Sequence, residues 1–517
     1  MILKGHCMKL LNRYRSLSLT ARASVWFVFA TLFQKGINII TTPIFTRLMS
    51  KAEYGSYSVF NTWYNIFLVV CTFNLAGGIF NTVLHRHKER KEEITSCALG
   101  LETALTFLVF GGYLVYYFTV GSLRGDTAAG NLQGMTLTLS LLMFAQVLVN
   151  IPTSLWIAKC KYEYNYFACC LVIILQSLAL LGLSILLVVT LQDKVVARII
   201  ANLVIMGIVA VVVFVLLLRQ GKKLFSLPAW KYLLLLGLPL LVHYLAQDIM
   251  AQSDQLVLDR YWGKDVVATY SLAHQISWIF TILTTAINTT FVPWVYRKID
   301  ERDFAPVKRV SAMTFSFICT VTLCVSLVAP EAILLFGGSA YLEGARLVPL
   351  LISNVILITA YDLFSNVEFF YSKTVIASLA TVVCAAFNIT FNFVFIPRYG
   401  MIAACCTTLA SYALLTVIHY VVMRIFCKKK GLPDLFGSGY IWLLSVVMIG
   451  LNISTLLIAR YRIIRFVILA LILTIVMIFA VKYSKQLIKN KKEQNHGAPH
   501  EQPHAGEIDH GSDHRDA

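Results

Sequence analysis

Lys35 lies near the middle of a long apolar run, with Asn38 and Thr42 on the same side of the helix that run would form and Thr46 and Arg47 just beyond. An ionisable side chain at the centre of a membrane span costs at least about 2.5–3.5 kcal/mol, so a lysine there must face a cavity or a partner. Three further runs carry polar groups at helical spacing. His243, Gln247 and Asp254 fall within about 40° of one another at 100° per residue, and Asp248, Gln252, Gln255 and Asp259 make a second stripe on the same run. His274, Trp278, Thr281, Thr285 and Asn288 trace one continuous face. Asn354, Tyr361, Ser365 and Glu368 share another, with Asp362 beside them. Together these residues predict a wet, amphoteric cavity. Amides and hydroxyls suit a hydroxyl-rich cargo; Lys35, His243 and His274 suit an anionic group. The carboxylates Asp248, Asp254 and Asp362 suit a coupling H⁺ or Na⁺. Glu102 is expected to pair structurally with the basic cluster at Lys91.

The elements that position these groups are read from hydropathy. A spanning helix needs about 20 mostly apolar residues. Fourteen such stretches occur, near 23–45, 57–82, 94–120, 132–157, 164–190, 195–218, 232–258, 266–293, 310–336, 346–371, 374–396, 401–426, 438–459 and 463–483. Of the 517 residues, 58% are hydrophobic and 14% charged, which overrides the reading of a soluble multidomain protein. The expected fold is an all-α polytopic membrane protein of 14 transmembrane helices, with no cofactor and no metal site. The net charge of +18 would suggest nucleic acid in a soluble chain. With the N-terminus in the cytoplasm, however, 31 of the 44 Lys and Arg fall on the cytoplasmic side. The excess is therefore an orientation signal, placing both termini in the cytoplasm. The 12 cysteines form no CxxC pair and read as small packing residues.

Residues 1–22 are basic and amphipathic and are expected on the inner membrane surface. Two six-helix lobes follow, 23–218 and 232–427, joined by a cytoplasmic linker at 219–231; two added helices occupy 438–484. The lobes repeat. At a constant offset, Arg47, Lys51, Tyr57 and Ser58 recur as Arg260, Lys264, Tyr270 and Ser271, each set following the first span of its half. Repeated lobes with a site between them are the usual build of alternating-access transporters. Residues 485–517, which hold His496, His500, His504, His510 and His514, read as a disordered cytoplasmic tail.

Four patches carry a family resemblance. They are Pro43-Ile44-Phe45-Thr46-Arg47-Leu48 with Glu53-Tyr54-Gly55; Gly237-Leu238-Pro239-Leu240 leading to Ser253-Asp254-Gln255, Gly263 and Tyr270-Ser271; Tyr341-Leu342-Glu343-Gly344-Ala345; and Asn388 and Asn392 with Ile396-Pro397-Arg398-Tyr399-Gly400 and Ala403-Ala404. In these the chain resembles the polysaccharide-transport branch of the multidrug/oligosaccharidyl-lipid/polysaccharide exporter superfamily, which includes O-antigen and capsule flippases. The resemblance covers roughly residues 23–485.

It implies that the chain moves an undecaprenyl-diphosphate-linked oligosaccharide across the bacterial inner membrane by alternating access. It also implies partner glycosyltransferases and a polymerase. The family pattern leads one to expect a strongly cationic cavity, whereas Lys35 is the one clear in-span cation. A cation-coupled multidrug exporter, a flippase for the peptidoglycan precursor, and a membrane glycan polymerase or ligase are the competing readings. The enzyme reading lacks a nucleophile or metal motif and a substantial outer loop.

Overall fold

The structure, a computed structural model, describes residues 18–124, 130–371 and 374–496, the last stretch from 483 as helical backbone only. The described residues form seventeen α-helices, two 3₁₀ turns and no strand. We number them α1 (Leu19–Leu48), α2 (Lys51–Thr72), α3 (Leu75–Gly78), α4 (Phe80–Arg86), α5 (Lys91–Arg124), α6 (Leu137–Tyr162), α7 (Tyr166–Thr190), α8 (Lys194–Gly221) and α9 (Leu227–Trp262). There follow α10 (Lys264–Trp278), α11 (Thr281–Asp300), α12 (Phe304–Leu327), α13 (Ala329–Gly337), α14 (Val348–Phe370), α15 (Thr374–Lys429), α16 (Ser438–Ser454) and α17 (Arg462–His496).

Eleven helical stretches are long and apolar enough to cross a membrane. The expected fourteen segments are nevertheless all helical. α15 is two helices merged across Gly400, and α16 is 17 residues long. The second segment breaks at Phe73 and Asn74, which adopt left-handed φ of 52° and 47°. Gly400 has φ 62° and ψ −139°, a conformation glycine adopts without steric cost. Trp262 at the end of α9 holds this kink by donating from Nε1 to the Ile396 carbonyl at 2.8 Å.

The described residues up to Arg460 form one compact unit and those from Tyr461 a second. The second unit is α17. It runs on to His496, so residues 485–496, expected to be disordered, are helical. The remaining histidines of the tail, and residues 1–17, lie outside the described residues. Leu19 to Arg22, expected in a surface segment, already belong to α1.

Within the first unit, packing differs between the two ends of the bundle. At the end holding the 48–51 and 262–264 turns, a single apolar core draws on both halves: Phe45, Tyr54 and Phe60 pack with Leu258, Tyr270 and Tyr341. At the other end there are two separate cores. Leu84, Ile94, Leu155 and Leu217 make one; Ile299, Phe315, Phe364 and Phe436 make the other. α9 straddles the halves, because Leu233 near its start belongs to the first-half core.

Polar contacts reinforce the joined end. Arg47 donates to the Leu335 carbonyl at 2.9 Å and Thr46 to the Phe336 carbonyl at 2.5 Å, so the end of α1 caps the last turn of α13. Asn65 donates to Gln252 at 3.1 Å, and Thr62 to Gln255 at 3.4 Å. The expected second stripe of the seventh span thus meets the other half. The repeated lysines each cross over. Lys51 lies over the Tyr341 ring at 5.4 Å; Lys264 donates to the Gly134 carbonyl at 2.8 Å while paired with Asp259 at 2.9 Å.

Candidate substrate cavity

Between α1 and α11, on the side where the halves have separate cores, lies a cavity of about 870 Å³. Lys35 and Asn38 of α1 face Trp278, Thr281 and Thr285 across it. The polar stripes read on the first and eighth spans are therefore two walls of one space. Lys161, from the end of α6, also lines it. Neither Asp nor Glu occurs among the residues lining this cavity. A smaller space of about 110 Å³ adjoins at Asn38. It holds Arg198, whose guanidinium is clamped between the rings of Phe45 at 4.0 Å and Tyr57 at 3.8 Å. Arg198 Nη1 is enclosed with no hydrogen-bond partner.

The lining is therefore cationic rather than amphoteric. The carboxylates expected to balance it sit elsewhere. Asp254 is fully buried and accepts hydrogen bonds from Tyr270 and from Thr408 at 3.3 Å. Beside it Ser253 donates to Asn388 at 2.9 Å, Asn392 donates to Ser253 at 3.2 Å, and Thr407 donates to Asn392. This cluster ties α9 and α10 to both parts of α15 and contributes oxygens from a carboxylate, amides and hydroxyls. Asp362 accepts from Asn288 Nδ2 at 2.8 Å, which turns Asn288 away from a purely cargo-facing role. Next to it Tyr361 stacks on His419 at 5.7 Å, and His419 pairs with Glu368 at 2.8 Å.

The other expected residues divide. Thr42 is buried and donates to the Asn38 carbonyl of its own helix at 3.0 Å, so it does not line the cavity. Thr281 and Thr285 also bond their own backbone, yet both remain on the cavity wall. Arg47 is committed to the joined end. His274 is sandwiched in a column with Tyr270 and Trp278 at 6.1 and 5.3 Å. His243, Gln247 and Asp248 are half-buried on α9, and His243 Nδ1 is enclosed without a partner. Glu102 does not pair with Lys91, which binds Glu163 at 2.5 Å; both Glu102 carboxyl oxygens are buried without a partner.

Two cationic groups escaped the sequence reading. Lys161 stands among helix-end basic residues that look interfacial. Arg198 lies one turn into α8, so the sequence reading counts it with the charges at the end of its span, not inside it like Lys35.

The polysaccharide biosynthesis protein family matches residues 21–298, more than half of the chain. The chain belongs to this family. One relative is a Haemophilus influenzae protein of the Lsg locus, 21% identical over 424 residues, covering 78% of this chain and 98% of that protein. The fold is similar to that of the lipid II flippase MurJ in an inward closed conformation. That match has a TM-score of 0.62 at 15% identity and covers 90% of this chain and 100% of MurJ. It is also similar to a MOP superfamily transporter from Pyrococcus furiosus (TM-score 0.56, 15% identity, 79% and 95% of the two chains). An inward-facing multidrug resistance MATE family transporter matches as well (TM-score 0.56, 14% identity, 77% and 95%). The chain is thus a multi-pass membrane protein whose fold is similar to that of these transporters.

Proposed function

We propose that this chain is a flippase carrying a lipid-linked oligosaccharide, on undecaprenyl diphosphate, from the inner to the outer leaflet of the bacterial cytoplasmic membrane. The product serves surface polysaccharide synthesis, such as O-antigen or capsule. Lys35 and Lys161 on a cavity wall without Asp or Glu carry the proposal. A diphosphate entering this space meets ammonium groups and no like charge, while a cationic drug meets repulsion. Each sugar hydroxyl left unpaired in hydrocarbon costs about 4–8 kcal/mol, and Asn38, Thr281 and Thr285 offer replacement partners. Both termini lie in the cytoplasm in this reading, and the separate-core end opens there. Rocking the halves would break the contacts at the joined end and open the cavity outward. The Asp254 cluster is the proposed site of H⁺ or Na⁺ coupling. Glycosyltransferases supply the substrate and a polymerase takes it.

Deleting the gene tests this reading. Lipid-linked oligosaccharide should accumulate in the inner leaflet, with surface polymer lost. Normal surface polymer combined with sensitivity to cationic drugs would favour a drug exporter instead. Intermediates that reach the outer leaflet unpolymerised would favour an enzyme.

A further inference from the structure

A second pocket of about 450 Å³ opens in the first half of the bundle, between the broken second span and α6. Its size lies within the ~300–1,000 Å³ usual for small-molecule sites. Lys161 lines both this pocket and the main cavity. Both walls mix polar and apolar groups. The main cavity sets Asn38, Gln275 and five threonines among Phe27, Val28, Leu32 and Ile282. The second pocket is richer in amides: Asn74, Asn81 and Asn150 stand with Thr72 and Ser154 among Leu68, Val69 and Ile157, again with no Asp or Glu.

The backbone is also unusual here. Phe73 at φ 52° and Asn74 at φ 47° are consecutive left-handed residues without glycine. A bulky residue there is a steric outlier, and each such residue costs roughly 1–3 kcal/mol. Within a membrane, interrupted helix is tolerated where it is buried in protein or lines a wet cavity. The break carries Asn74 onto the pocket wall. Gly77 leaves it room, since a Cβ at position 77 would fall 2.6 Å from Asn74 Oδ1.

An amide presents a donor and an acceptor side by side without charge. Three of them around one pocket match the hydroxyl and acetamido groups of a sugar. They do not match a hydrocarbon tail, and Lys161 is the one charged group on the wall.

We propose that this pocket is a saccharide subsite. Sugar residues of the cargo bind among Asn74, Asn81, Asn150 and Ser154, and Lys161, which lines both spaces, contacts the anionic group joining sugar to lipid. The assignment rests on the flippase reading and extends it: the diphosphate and the sugar next to it stay in the main cavity, and further sugars of the glycan enter the first half.

The test uses the full chain in nanodiscs and two probes: undecaprenyl diphosphate, and the lipid-linked oligosaccharide extracted from cells of the source bacterium lacking this gene. The wild type should bind the glycosylated lipid about tenfold more tightly. Ser154→Trp, which fills the pocket, and the double variant Asn81→Leu/Asn150→Leu should each erase that advantage and leave undecaprenyl diphosphate binding unchanged. Lys161→Ala should weaken both probes. Equal wild-type affinity for the two probes, or an advantage that survives in both pocket variants, would overturn the subsite and spare the flippase reading. Loss of both probes in both pocket variants would assign the pocket to the lipid diphosphate and likewise overturn the subsite. A wild type that binds neither probe would overturn the flippase reading itself.

Discussion

Gly55 of α2 packs against the backbone carbonyl of Lys264, so closely that a Cβ at position 55 would lie 2.0 Å from the carbonyl oxygen. The obstacle is backbone, which cannot swing aside as a side chain would. Gly55→Ala should therefore disfavour the joined end. We expect a cysteine introduced at Gln252 to become reactive to a membrane-impermeant probe in Gly55→Ala and to stay protected in the parent. Equal protection would show that the halves meet less tightly.

Lys35→Ala and Lys161→Ala should each reduce transport at least tenfold with protein levels near those of the wild type. Both side chains are exposed and line the cavity, and among the described residues neither is tied into the fold by a hydrogen bond. Lys35→Arg, which keeps the charge, should retain part of the activity. Leaflet-resolved assay of lipid-linked oligosaccharide measures all three. Full activity in Lys35→Ala would remove it from the site.

Asp254→Asn keeps the shape of the buried cluster and removes its charge. Transport driven by an H⁺ or Na⁺ gradient should fall severalfold or more, while affinity for the glycosylated lipid changes less than twofold. Tyr270→Phe deletes one donor to the same carboxylate and should shift the ion dependence without abolishing transport. Unchanged ion dependence in both variants would leave the cluster a structural tie between α9 and α15.

Glu102 tests the interior of the first half. It is fully buried with neither carboxyl oxygen bonded, and an unpaired buried charge is costly. Glu102→Gln should leave the thermal midpoint unchanged or raise it by a few degrees. A fall of several degrees would reveal a partner for the carboxyl group.

How far the sequence spoke follows from the range of each interaction. The helices were legible because a span is set by local hydropathy. Lys35 and the stripe from Trp278 to Thr285 were legible because an in-span polar residue has few places to go, and the two stripes do face each other. The fate of Asp254 was not. Its partners Tyr270 and Thr408 lie 16 and 154 residues away, so no helical wheel shows that the carboxylate turns inward to α15 and not toward the cavity. Asn288 reaching Asp362 across 74 residues is the same case. The break at Phe73 was hidden for another reason. Phe is a poor left-handed residue, and the available hint, Asn74 followed by Gly77 and Gly78, reads equally well as small-residue packing.

Lys51 and Lys264 hold equivalent places in the two repeated halves, and each reaches into the other half, one to Tyr341 and one to Gly134. Under the proposed rocking motion, a rotation about an axis between the halves that lifts one lysine lifts the other in the same stroke. Opening that mouth outward then takes both contacts, and loss of either lysine alone leaves the other half of the latch in place.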